Sequence, residues 1–169
     1  MNANPDSDWM SPLRAAVEAA TRTGHDVRAK IAAATTAATA RLGQQQEALR
    51  TLTRVVLEGA ARGMNGALPA EAHSTLRQVV DGLADGLATS ALAAKLALDE
   101  TRSRGAEFAR EDLGQLREHL GQLGDEFTEA VKETARTAYA ATAEQSRELN
   151  EHARRALDRA KPAFEDALR

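Results

Sequence analysis

The chain has 169 residues, a formal net charge of −3 and no cysteine, so disulfides and thiolate metal sites are excluded. Hydrophobic residues make up 43% of it, but 37 of its residues are alanine and only 3% are aromatic. Alanine is the strongest helix former and buries little area, and its combination with Leu, Glu and Arg is typical of long packed helices. We therefore predict an all-α protein of long antiparallel amphipathic helices that form a helical bundle or a coiled coil.

The first residues of the chain are polar and acidic. We predict a flexible segment over 1–10 and a single helical domain over 11–169. The first segment lacks the basic start and the apolar core of a signal peptide, and no window of the chain is apolar enough to predict a transmembrane segment. We therefore expect a cytoplasmic protein.

The first predicted helix covers about 12–63. It begins where Ser11 offers an N-cap hydroxyl in front of Pro12, since proline is favoured at the first helical position. Apolar or small residues then recur every three or four positions, close to a heptad pattern. Gly24 and Gly43 are the weak points of this helix, because glycine is a poor helix former.

A turn is predicted over 64–68. Gly63 and Gly66 tolerate left-handed backbone conformations that end a helix, and Pro69 is suited to begin the next one. One or more helices follow over about 69–160.

Within the second half, breaks are considered near 103–105 and 121–125, where glycines interrupt the apolar pattern. Pro162 is predicted to disrupt or end the last helix near Ala160 because proline cannot donate a backbone hydrogen bond.

Gly82 and Gly86 lie four residues apart on a predicted helix. Small residues at this spacing permit two helix backbones to come close. We therefore predict close contact with another helix along this face; the alternative is a locally flexible or membrane-facing patch.

The sequence has no recognisable catalytic or ligand-binding motif. No two of the four histidines stand three or four residues apart, and neither H-E-x-x-H nor Glu-x-x-His occurs. No phosphate-binding loop is present, and the chain lacks the basic runs and aromatic platforms of nucleic-acid-binding proteins. We therefore predict a protein without catalytic activity, cofactor, metal site or nucleic-acid partner.

The leucine-rich heptad positions are the candidate contact surface. They pack either against other helices of the chain or against an external apolar surface. Because alanine-rich seams often need a partner helix to complete their burial, we also expect a homo-oligomer. The candidate residues are Leu42, Leu49, Leu52, Val56, Leu83, Leu87, Leu113, Leu116, Leu120, Leu123 and Phe127.

The stretch over 44–63, QQQEALRTLTRVVLEGAARG, resembles the phasins, proteins that coat polyhydroxyalkanoate granules in bacteria. The matching positions are Gln46, Glu47, Ala48, Leu49, Glu58 and Gly59. The resemblance implies a non-enzymatic helical protein that oligomerises and associates with an apolar surface such as a polyester storage granule, with its charged faces in water. The alternative function is a helical scaffold or adaptor that binds a protein partner through its heptad seams.

Overall fold

The computed structural model describes residues 9–42, 46–101 and 124–167 of the chain. Over these residues it contains helices and no strand, so the predicted all-α class is confirmed. The helices are α1 (Met10–Thr23), α2 (Val27–Leu42), α3 (Gln46–Gly63), α4 (Pro69–Thr101), α5 (described over 124–139) and α6 (Ala143–Ala167).

The predicted single helix over 12–63 is wrong, because the chain breaks after α1. Gly24 adopts a left-handed φ of 69°, and its N–H donates to the carbonyl of Ala20 at 3.1 Å, which ends α1. Asp26 also has a positive φ, of 51°, and α2 begins at the next residue. Apolar spacing alone does not reveal this break, since suitable residues still recur every three or four positions across it. Residues 43–45 lie outside the described part of the chain.

α1 begins at Met10, before the predicted cap. Trp9 occupies the N-cap position without a side-chain cap hydrogen bond, so the predicted N-cap at Ser11 is wrong. Pro12 still lies in the first turn, where an N–H has no partner within the helix. Of the segment 1–10 predicted to be flexible, only Trp9 and Met10 are described, and both pack against the core.

The turn predicted over 64–68 is confirmed. α3 ends at Gly63 and α4 begins at Pro69. Leu49 of α3 and Leu87 of α4 line the same cavity, so α4 folds back beside α3.

The segment predicted over 69–160 contains α4, one helix of 33 residues that reaches Thr101. The break considered near 103–105 lies outside the described residues. Of the break considered near 121–125, residues 124 and 125 are helical, and the others are also outside that part of the chain.

A break over 140–142, which the sequence analysis missed, separates α5 from α6. Ala140 has a left-handed φ of 52°, and its N–H donates to the carbonyl of Arg136 at 3.1 Å. Thr142 and Gln145 then form a reciprocal capping box. The Gln145 N–H donates to Thr142 Oγ1 at 3.2 Å, and the Thr142 N–H donates to Gln145 Oε1 at 3.0 Å.

α6 continues through Pro162 to Ala167, so the prediction that it ends near Ala160 is wrong. The proline removes only the hydrogen bond to the carbonyl of Asp158. Both Pro162 and Asp158 are exposed, so water can replace that donor near the end of the helix.

Three pairs of helices in close contact run parallel: α1 with α3, α2 with α4, and α4 with α6. In the first pair, Arg14 binds Glu58, and Thr21 lies against Gly63 further along both helices. α1 and α3 therefore lie side by side, and α4 lies between α2 and α6.

Four glycines let the backbones of two pairs approach closely. Gly59 and Gly63 of α3 face α1, and Gly82 and Gly86 of α4 face α2. A Cβ built on Gly82 would lie 2.6 Å from the carbonyl oxygen of Arg28, closer than Cβ atoms approach other atoms. The close contact predicted at Gly82 and Gly86 is therefore confirmed. We refer to α1/α3 and α2/α4 as the glycine-joined pairs.

Large aliphatic side chains fill the space among the helices. Those that are fully buried come from all six helices and from the turn after α3. They include Val17, Ile31, Leu52, Val56, Met64, Leu76, Leu83 and Leu149.

A candidate binding cleft between α3, α5 and α6

The predicted contact residues that the structure describes belong to the core between helices. Leu87 is half-buried, and the others are at most 6% exposed: Leu49, Leu52, Val56, Leu83 and Phe127. Among the described residues, only Leu68 and Leu92 are exposed large hydrophobic residues, at 67% and 47%. The side chains of the remaining predicted residues lie outside the described part: Leu42, Leu113, Leu116, Leu120 and Leu123.

Three of the core residues also line a cleft of about 750 Å³ between α3, α5 and α6. Its volume lies within the range of about 300–1,000 Å³ that is usual for ligand sites. Leu87 of α4 contributes to its floor. The apolar lining consists of Leu49, Leu57, Ala61, Leu87, Phe127, Ala130, Leu157 and Ala160.

Helical spacing places the lining residues on one side of each helix. On α3, Arg50, Arg54, Leu57 and Ala61 follow one another at intervals of three or four residues, so they share a face. On α6, Leu157 lies beside the start of the described part of α5, since a Cβ added to Gly124 would be 3.8 Å from Leu157 Cδ1.

The rim of the cleft is charged, and the walls of the cleft differ in the sign of their charge. The α5 wall contributes only acidic charged residues, Asp125, Glu126 and Glu133. The basic residues come from α3 and α6: Arg50, Arg54, Arg154 and Lys161. Arg50 Nε lies 2.6 Å from Glu126 Oε2, and this ion pair connects α3 to α5 beside the cleft.

A line of charged and polar side chains joins α4 to α6, and we call it the ionic seam. Its members are His73, Arg77 and Asp81 on α4, and Glu148, His152 and Arg159 on α6.

Asp81 is the most enclosed carboxylate of the ionic seam, with 15% of its side chain exposed. Arg159 Nη2 donates to Asp81 Oδ1 at 2.6 Å. His152 Nε2 lies 3.1 Å from the same oxygen, in a geometry that does not form a hydrogen bond. At the other end, Arg77 Nη1 donates to Glu148 Oε1 at 3.2 Å. Ion pairs therefore cross the contact between α4 and α6 at two places.

Tyr139, at the end of α5, contacts the ionic seam through His73. Its hydroxyl lies 2.9 Å from His73 Nδ1. Burial, and secondarily the charge of Glu148, raises the pKa of Tyr139 from 10.0 to about 12. The phenol is therefore held in its protonated form.

No group of three metal-ligating side chains occurs within the described ranges, although His73 and His152 each lie near one carboxylate. Among the same residues, no helix is long and apolar enough to cross a membrane.

The large apolar residues of the cleft were predicted only in part from the sequence. Leu49, Leu87 and Phe127 were predicted as contact residues, whereas Leu57 and Leu157 were not. Leu57 stands eight residues after Leu49, a spacing that keeps both on one helix face, so this signal was present in the sequence.

A family model matches residues 5–159 of the chain. The protein belongs to DUF6781, a family of unknown function. The match to DUF6781 covers all six helices except the last turns of α6. Searches of the curated proteins and of the solved structures found no match to the chain.

Proposed function

We propose that this protein is a non-enzymatic helical protein that associates with an apolar surface, such as a polyester storage granule, through the cleft between α3, α5 and α6. The observation that supports this proposal is the cleft itself, which combines an apolar floor with a charged rim. Burial of apolar groups drives such an association, and charged residues remain in water at its edge.

The distribution of apolar side chains favours the cleft over an exposed stripe as the contact. Most of the described candidate leucines are already buried against other helices. Leu157 and Leu87, by contrast, are only half-buried at the cleft. A polymer chain at the surface of a granule can reach these side chains without unfolding of the core.

Co-sedimentation with polyhydroxybutyrate particles tests this proposal. We expect the wild-type protein to sediment with the particles and Leu157→Glu to remain in the supernatant, because the new carboxylate lies in the cleft. Leu92→Glu is the matched control, since Leu92 is exposed on α4 outside the cleft. Circular dichroism establishes that both variants fold. Failure of the wild-type protein to bind, or loss of binding only in Leu92→Glu, would contradict the proposal.

The second candidate function is a scaffold that binds an amphipathic helix of a protein partner. The opposite charges of the cleft walls favour it, since a helix with an apolar face and oppositely charged flanks would match them. Self-association is the form of this function in which the partner is a second copy. Light scattering coupled to chromatography distinguishes these functions. Concentration-dependent dimers that Leu157→Glu abolishes, without particle binding, would support the scaffold.

A further inference from the structure

Ion pairs neutralise part of the charge around the cleft. Glu58 accepts from Arg14 Nη2 at 3.0 Å, and Glu133 accepts from Arg136 Nη2 at 2.7 Å. Together with the pair between Arg50 and Glu126, these contacts occupy three of the five lining carboxylates.

The remaining rim charges include more cations than anions. Arg54, Arg154 and Lys161 have no carboxylate within ion-pair distance among the residues that the structure describes, and neither Asp125 nor Asp158 has a basic partner there. Three cations against two anions leave an excess positive charge, which attracts an anionic group.

Arg154 and Lys161 border the half-buried side chain of Leu157 on α6. They stand seven residues apart, which is two helical turns, so both project from the same side of the helix as the cleft lining. Leu157 therefore has one of these cations on the helical turn before it and the other on the turn after it, with the carboxylate of Asp158 between them.

The cleft is elongated as well as apolar. Its lining on α3 extends from Leu49 to Ala61, which corresponds to about 18 Å of helix at 1.5 Å per residue. An extended hydrocarbon chain matches this shape and needs no hydrogen bonds from the floor.

We propose that the cleft binds one long-chain fatty acid, with its acyl chain along the floor and its carboxylate between Arg154 and Lys161. Charge-assisted hydrogen bonds from these side chains would hold the carboxylate, and apolar burial would hold the chain. This site uses the same cleft as the proposed surface association, but it requires no granule.

Displacement of a fluorescent fatty acid from the full-length protein tests this binding site. We expect palmitate to displace the probe at a concentration about tenfold lower than hexadecanol, which has the same chain without the charge. The double variant Arg154→Gln/Lys161→Gln is expected to lose this preference and still bind hexadecanol. Arg155→Gln is the matched control, because Arg155 is exposed on α6 but does not line the cleft.

Three outcomes would overturn the fatty acid site. They are displacement by neither lipid, equal displacement by both, and a second copy of the chain filling the cleft, detected as a dimer that palmitate does not dissociate. Particle co-sedimentation is measured separately. Palmitate binding without particle binding removes only the surface-coating proposal, whereas particle binding without palmitate binding removes only the fatty acid site.

Discussion

The glycine-joined pairs and the α4/α6 pair are both parallel helix contacts that ion pairs cross, but among the described residues only the glycine-joined pairs bring two helices together at glycines. In the glycine-joined pairs, the backbone of one helix lies against side-chain and backbone atoms of the other. This leaves no space for a Cβ at Gly63 or Gly82. In the α4/α6 pair, Asp81 and Glu148 bind cations across the interface. We expect the first kind of contact to be the more sensitive to added volume, and the second to be the more sensitive to loss of the enclosed charge of Asp81. α4 takes part in both kinds of contact.

The largest expected loss of stability comes from a steric clash at the glycines. Gly82→Ala and Gly63→Ala should each lower the free energy of unfolding by about 3 kcal/mol, because the added methyl overlaps a backbone carbonyl oxygen. That oxygen belongs to Arg28 in one case and to Glu18 in the other, and neither can rotate away. Urea unfolding followed by circular dichroism measures the change.

Gly124→Ala provides the control for these two substitutions. Its Cβ would meet Leu157 at the ordinary contact distance of 3.8 Å. We expect it to leave stability unchanged or to raise it by up to about 1 kcal/mol, since alanine favours helix. Wild-type stability in Gly82→Ala would show that α2 and α4 are not in close contact.

Alkaline pH should lower the stability of the fold through Tyr139, which lies beside the ionic seam. Because the folded pKa of Tyr139 is about 12 and the unfolded value is 10.0, the unfolded chain loses this proton first as pH rises. Stability is therefore fully retained below pH 10 and lost between about 10 and 12, by up to about 3 kcal/mol.

The variant Tyr139→Phe isolates this effect from the titration of other groups. It should cost about 1 kcal/mol at neutral pH through the lost contact with His73, and its stability should fall less steeply above pH 10. If the curves of stability against pH ran parallel for wild type and variant, the phenol would have the same pKa in the folded and the unfolded states.

Removing a carboxylate from the ionic seam should have a smaller effect. Asp81→Asn keeps the size of the side chain but removes the charge that faces Arg159 and His152, and we expect a loss of about 1.5 kcal/mol in low salt. Urea titrations with and without added salt measure this loss. It should shrink at high ionic strength, whereas the Gly82→Ala effect should not. Equal salt dependence of the two variants would remove the distinction between the two kinds of interface.

The smallest expected effect lies on the exposed surface. Glu129 and Lys132 form an exposed pair within α5, at 3.1 Å. Glu129→Gln should change stability by less than about 0.5 kcal/mol, since such pairs contribute little. A larger loss in the same urea assay would mean that exposed charge on α5 contributes to the fold.

The turn over 64–68 was predicted correctly because glycine, asparagine and proline mark it in the sequence. The same residue types are not sufficient, since α6 continues through Pro162, and Gly24 was recognised as a weak point without being identified as a helix end. The break at Ala140 was missed because alanine rarely adopts left-handed φ, although the capping box of Thr142 and Gln145 marked the next helix start.

The cleft was beyond prediction from the sequence for a different reason. An apolar pattern shows which face of a helix is buried, but not which helix covers it. The parallel pairing of α4 with α6 depends on contacts such as Asp81 with Arg159, 78 residues apart. Leu57 and Leu157 therefore line the same cleft only because of how the helices pack in the tertiary structure.

Trp9 and Tyr139 are the only tryptophan and the only tyrosine in the chain. Trp9 packs against the core at the start of α1, in the glycine-joined part, and Tyr139 contacts His73 beside the ionic seam. Each region thus contains one intrinsic chromophore. Indole fluorescence and tyrosine absorbance can report separately whether the two parts of the molecule unfold in one transition or in two, without any label.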